Sequence, residues 1–113
     1  MWKNLSLKNV SKIERCVGEY NIWMVGILPY GKMKVKIYED NSGAFSGYTD
    51  INIKLRSDDN YPESAVGFGK TQQEALSETI KNFNELLERE YPEEQFPEGL
   101  SGDYIEYTEP SDF

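Results

Sequence analysis

Histidine is absent from the 113 residues of this chain, and cysteine occurs once. The first absence removes the commonest general base, the commonest zinc ligand and every Ser-His or Cys-His dyad. Acid–base work by carboxylates alone stays open, for example through Glu39 and Asp50, yet nothing in the pattern singles out that pair. The expectation is a protein that is not an enzyme and needs no cofactor. The lone Cys16 excludes an intrachain disulfide and fits a reducing, cytoplasmic setting. Long apolar runs are also missing. The longest, Ile22 to Leu28, is far short of the roughly 18 residues of a membrane helix, and the opening Met1-Trp2-Lys3-Asn4-Leu5-Ser6 does not read as a signal peptide. Asp58-Asp59 and Asp40-Asn41-Ser42-Gly43 lack the later ligands of a calcium loop, so no metal is expected.

What is present is aromatic and unevenly charged. Only 38% of residues are hydrophobic, but the two Trp, eight Tyr and five Phe can build a core in a chain of this length. The net charge of −8 is concentrated at one end. Residues 1–40 carry seven cations and four anions, whereas residues 71–113 carry two cations and twelve anions. From Glu90 onward there are eight carboxylates and no cation. Such asymmetry divides the chain into a nearly neutral domain, residues 1–91, and an acidic aromatic tail, residues 92–113.

The patterning predicts an α+β fold. A short helix over Asn9–Val17 is expected, then a strand over Tyr20–Leu28 that is apolar on both sides, with Trp23 in the core or at a subunit interface. Met33-Lys34-Val35-Lys36-Ile37-Tyr38 alternates, with Met33, Val35 and Ile37 on one face. Tyr48–Leu55 alternates likewise, and Ser64–Phe68 reads as a further hairpin strand. Thr71-Gln72-Gln73-Glu74 is a capping box, with Glu74 reaching back to the Thr71 N–H. Leu76, Ile80, Phe83 and Leu87 then form one helical stripe, ended by Pro92. The architecture is thus an antiparallel meander of four or five strands covered by one long amphipathic helix and followed by the tail. In that tail, Asp103–Thr108 alternates as an edge strand would.

The sheet face away from the helix carries the candidate ligand residues Lys34, Lys36, Tyr38 and Tyr48, with Arg56 at its edge. Cations beside rings suit a phosphate and a stacked base; the plainer reading is a solvated strand face. Gly67-Phe68-Gly69-Lys70-Thr71 ends like a phosphate-binding loop, but Ser64 stands where the first glycine of that pattern belongs. What remains is a helix start at which Phe68, Lys70 and Thr71 meet an anion, or simply a strand-to-helix turn. The tail rings Tyr91, Phe96, Tyr104 and Tyr107, interleaved with carboxylates, are candidates for binding a partner as a nucleic-acid mimic.

The segment Ala65-Val66-Gly67-Phe68-Gly69-Lys70-Thr71-Gln72-Gln73-Glu74-Ala75-Leu76 resembles the last strand and helix start of HicB-type antitoxins and of double-stranded-RNA-binding domains. Both resemblances imply a β-β-β-α layer over about residues 33–87. The helix start offers Gln72, Gln73 and Glu74 where the RNA-binding type needs lysines, so no direct nucleic-acid contact is expected. In size, acidity and element order, the whole chain is similar to small phage or prophage counter-defence proteins, including the Thoeris anti-defence nucleotide sponges and anti-CRISPR proteins. That likeness implies a protein of the host-cell cytoplasm, with no membrane contact, that sequesters a nucleotide-derived signal. The alternatives are an inhibitor that binds a host defence protein through its acidic tail and a HicB-like antitoxin. The doubly apolar strand adds the expectation of a homo-oligomer.

Overall fold

The computed structural model describes all residues, 1–113. Four long strands run as an antiparallel meander: β1 (Glu14–Trp23), β2 (Lys32–Asp40), β3 (Phe45–Leu55) and β4 (Tyr61–Gly69). One helix, α1 (Gln72–Glu90), follows, and a short β5 (Ile105–Tyr107) pairs with β3. The α+β meander under one helix is as the sequence pattern predicts. No helix is long and apolar enough to cross a membrane.

The alternating strands behave as their period dictates. Met33, Val35 and Ile37 of β2 and Ile51, Ile53 and Leu55 of β3 are buried under α1. The β2–β3 turn is held by Asp40, whose Oδ1 accepts hydrogen bonds from Ser42 N (2.8 Å) and Ala44 N (3.1 Å). The β3–β4 turn places Asp59 and Asn60 in the left-handed region (φ 51° and 60°), which these residue types tolerate.

The N-terminal third departs from the sequence expectation. Residues 9–17 are not helical: Asn9 adopts φ 68°, and β1 has begun by Glu14, which pairs with Asp40. Cross-strand pairing overrides a weak local helix preference here. At the other end, β1 stops at Trp23 rather than continuing to Leu28. Gly26 and Gly31 take φ of +85° and +81°, and Met24 N–H donates to Gly31 O at 2.7 Å, so the run folds back as a hairpin turn. Of its side chains only Leu28 is buried, and Trp23, expected inside, is 63% exposed.

The helix starts as read, with Glu74 N–H donating to Thr71 Oγ1 at 3.1 Å. The Glu74 carboxylate accepts from Lys70 N–H (3.3 Å) instead of Thr71 N–H. Its buried face is Ala75, Thr79, Phe83, Leu86, Leu87 and Glu90, so Leu76 and Ile80 of the expected stripe lie half-buried at the flank. The sheet explains the rotation. Gly47 and Gly67 face each other across β3 and β4. A Cβ on Gly67 would press into the Thr79 main-chain nitrogen, and one on Gly47 into the Thr79 hydroxyl. Two missing side chains make a saddle, and the small Ala75 and Thr79 let the helix settle into it.

Residues after α1 fold back onto the same core. Leu100 and Ile105 are buried in it, and Leu100 N–H donates to Ile27 O at 2.8 Å. Tyr91, Phe96 and Tyr104 form a ring cluster with centroids 4.9–5.6 Å apart. Glu90, only 3% exposed, accepts from Ser57 N (3.0 Å) and Ser57 Oγ (2.8 Å), tying the helix end to the β3–β4 turn.

The saddle generates a graded prediction. Gly67→Ala, which meets helix main chain, is expected to lower stability by about 1–3 kcal/mol or more, with no rescue by Thr79→Ala. Gly47→Ala should show a similar loss that Thr79→Ala partly restores, because there the obstacle is a side chain. Gly102→Ala, with open space around it, should stay within about 0.5 kcal/mol. Urea unfolding of the five variants decides it, and equal effects at all three glycines would rule out the saddle.

Candidate functional site

The open face of the sheet is where the largest number of the candidate ligand residues meet. Residues on adjacent antiparallel strands that pair in register project to the same side. Lys36 pairs with Tyr48 and Tyr38 with Ser46, so these side chains share the face opposite α1. The Tyr38 and Tyr48 rings meet edge to face, 5.9 Å between centroids at 72°. Burial pushes the Tyr38 phenol above its ordinary pKa, with Cys16, Glu14 and Tyr48 adding to the shift. The phenol is therefore a firm hydrogen-bond donor at neutral pH.

The chain's own last residues cross this face. β3 is flanked on one side by β2 along Phe45–Thr49 and by β5 along Ile51–Ile53. Asp50 sits at the fork: its Oδ1 accepts from Lys34 N–H (2.8 Å) and its main-chain O from Thr108 N–H (2.7 Å). Asn52 Nδ2 donates to Thr108 Oγ1 at 3.0 Å, steering the segment onto the open side. After a short 3₁₀ turn over Pro110–Asp112, Phe113 lies against β2. Its main-chain oxygen accepts from Tyr38 OH (2.9 Å) and Lys36 Nζ (3.4 Å). The same ammonium lies 4.6 Å from the centre of the Phe113 ring.

Between this segment and the sheet lies a cavity of about 230 Å³ walled by Tyr38, Tyr48, Thr49, Ser64, Thr108 and Phe113, with Glu14 and Asp112 at its edge. Glu19 lies 4.0 Å from the Lys36 ammonium that donates to the Phe113 oxygen. The arrangement provides ring faces, a phenol donor and the Lys36 ammonium, with Lys34 on the same face, beside the carboxylates of Glu19, Asp112 and Glu14, the last paired with Lys12 at 3.4 Å. It suits an aromatic group with a single negative charge far better than a polyphosphate.

Of the remaining candidates, Lys34 and Phe68 share this face outside the cavity and the others lie elsewhere. Lys34 projects from the same face but does not wall the cavity. Arg56 Nη1 donates to Glu90 O at 2.9 Å, closing the C-terminal end of α1, and its guanidinium lies 5.0 Å from the Phe96 ring centre. Phe68 pairs with Ser46 and so projects from the same open face, on the edge strand β4, where it is 68% exposed and does not wall the cavity. At the helix start, the Thr71 hydroxyl receives Glu74 N–H and the Lys70 N–H goes to the Glu74 carboxylate, so an anion there meets a carboxylate already in place. Of the tail rings, Tyr91, Phe96 and Tyr104 belong to the internal cluster, and Tyr107 lies 6.4 Å from Tyr30. Sequence reasoning missed Ser64, Thr108 and Phe113 as walls. No local signal marks Thr108 and Phe113, because the β5–β3 pairing alone brings them to this face, whereas Ser64 reaches it through the β4 alternation with Val66 and Phe68.

Compared with protein-family models, curated proteins and solved structures, the chain matches none of them.

Asp50 allows a test of the fork. Burial raises its carboxyl above the usual range, outweighing the Lys34 N–H that lowers it. A carboxyl raised on folding binds more protons in the folded chain, so stability falls as pH rises from the ordinary Asp value through the raised one. Asp50→Asn keeps an acceptor for Lys34 N–H and removes the charge. It is expected to be more stable than the parent at neutral pH, with the difference closing toward about pH 4. Denaturation across that range checks it; a variant weaker by a constant amount at every pH would refute it.

Proposed function

We propose that this chain is a non-catalytic binding protein that sequesters a small, singly charged aromatic ligand on the open sheet face, and that the ligand is a nucleotide-derived signal. The observation that supports this is the seating of Phe113. Lys36 and Tyr38 hold an oxygen while the Lys36 ammonium lies over a ring, so one small area meets the two demands of such a ligand. The carboxylates of Glu14, Glu19 and Asp112 nearby disfavour several phosphates together and leave a cyclic nucleotide, with one charge per phosphate, as the matching class. The absence of histidine supports a binding role over catalysis. A counter-defence protein that captures such a signal in a phage-infected cell is the biological reading consistent with this chemistry.

A second reading, an inhibitor that binds a basic protein, is favoured by the acidic surface. Seven of the eight carboxylates from Glu90 onward are exposed. The tail rings Phe96 and Tyr104 pack against the core, so this acidic surface acts with the domain and not as a free nucleic-acid-like strand.

Calorimetry and thermal melting with cyclic mononucleotides test the first reading, with the doubly charged cyclic dinucleotides and ADP-ribose derivatives expected to bind more weakly. A true ligand at about 100-fold excess over its Kd should stabilise by roughly 2.7 kcal/mol, a Tm rise on the order of 10 °C. The rise should vanish in Tyr48→Ala and Lys36→Ala, and Phe113→Ala should strengthen binding by freeing the face. A flat response to the entire panel ends this reading.

A further inference from the structure

The turn that closes the β1–β2 hairpin exposes an apolar tip. Trp23, Val25 and Tyr30 are 63%, 79% and 74% exposed. Trp23 and Val25 flank Gly31, whose Cβ position would lie 3.7 Å from the indole and 3.9 Å from the Val25 methyl, so they form one group. The chain continues from Val25 into Gly26 and Ile27, which line a cavity of about 250 Å³ between this turn, the end of α1 and the following loop. Its apolar walls include Leu87, Tyr91, Phe96 and Leu100; Glu88 and Glu93 also line it, and no cation does.

We propose that the tip and this cavity together form a docking surface for a basic protein partner, whose arginine or lysine side chain enters the cavity while apolar neighbours cover Trp23 and Val25. This rests on the second reading, the acidic inhibitor, and names its surface and the partner's chemistry. A hydrocarbon stem matches the apolar walls and a cationic head matches Glu88 and Glu93. Arg56, whose guanidinium lies 5.0 Å from the Phe96 centre and 5.8 Å from that of Tyr91, does not line the cavity, so Glu88 and Glu93 are the charges that the lining offers to a partner. Exposed Trp and Tyr beside a concave acidic site are the composition of an interface anchor. Charge argues against a second copy as occupant, because each copy carries −8 and brings the same acidic lining.

The test is an amide-shift titration of the full chain by NMR with the peptide Ac-Leu-Leu-Arg-Leu-NH2 and its counterpart with glutamate in place of arginine. The arginine peptide should shift residues 23–31 and 84–100 together, the glutamate peptide neither. Glu88→Lys with Glu93→Lys, both exposed positions, should weaken binding about tenfold, and Trp23→Ser with Val25→Ser should remove the shifts at the tip. Shifts confined to residues 103–112 would overturn this surface while keeping an acidic protein-binding role. No shift at millimolar peptide, or equal response to both peptides, would overturn both. Sedimentation showing a dimer that Trp23→Ser with Val25→Ser converts to monomer would assign the tip to a second copy and overturn the proposal as well.

Discussion

Two glycines facing each other across β3 and β4 set the distance between helix and sheet. With no Cβ at Gly47 or Gly67, the main chain of α1 at Thr79 comes down onto strand backbone. The packing of the whole helix depends on that approach. It turns Ala75 and Thr79 inward and moves Leu76 and Ile80 aside. Farther along α1, where β2 and β3 carry Met33, Ile51 and Ile53, larger residues fill the space with Phe83, Leu86 and Leu87. The rotation also brings Glu90 to the Ser57 N–H and hydroxyl and Tyr91 OH to Lys54 O at 2.6 Å. A buried carboxylate needs such partners. They hold the Glu90 carboxyl below its ordinary range, the Ser57 N–H contributing most.

From that fixed helix end the acidic segment is led back over the molecule. The Tyr91–Phe96–Tyr104 cluster under Arg56 anchors its start, Leu100 is hydrogen-bonded to the β1–β2 turn, and β5 takes the place beside β3 that β2 gives up at Asp50. The two ends of the charge distribution thereby meet. A segment without a single cation comes to rest beside Lys36 of the cation-rich half. Charge complementarity at this distance is modest in water, so the strand pairing and the buried Ile105 hold the segment, and the charges orient its last residues.

The same path separates two surfaces of different character. The open face bears Lys36 and the Tyr38–Tyr48 pair and is partly covered by Phe113. The hairpin tip exposes Trp23, Val25 and Tyr30 next to a hollow lined in part by Glu88 and Glu93. β1 forms the outer edge of the sheet between them, with Glu14, Arg15 and Glu19 along it as the charged residues that discourage uncontrolled strand pairing.

Local sequence determined the elements whose periodicity is strong. The two-residue alternation of Met33–Tyr38 and Tyr48–Leu55 and the Thr71 cap needed no tertiary information, because each depends on neighbours within a few residues. The sharing of one face by Lys36, Tyr38 and Tyr48 follows from the same alternation once the hairpin is drawn. Tertiary structure decided the rest. Residues 20–28 read as a buried strand since almost every side chain there is apolar, yet Gly26 and Gly31 at positive φ fold the run into an exposed turn. The helix stripe is offset because the deciding contact is with glycines some 12 and 32 residues earlier in the chain, which leave no trace in helical periodicity. Phe113 reaches β2 only through the pairing of β5 with β3, a contact more than fifty residues long in sequence separation. Short-range physics fixes period and caps; the close approach of distant backbones fixes which surfaces are left open to bind.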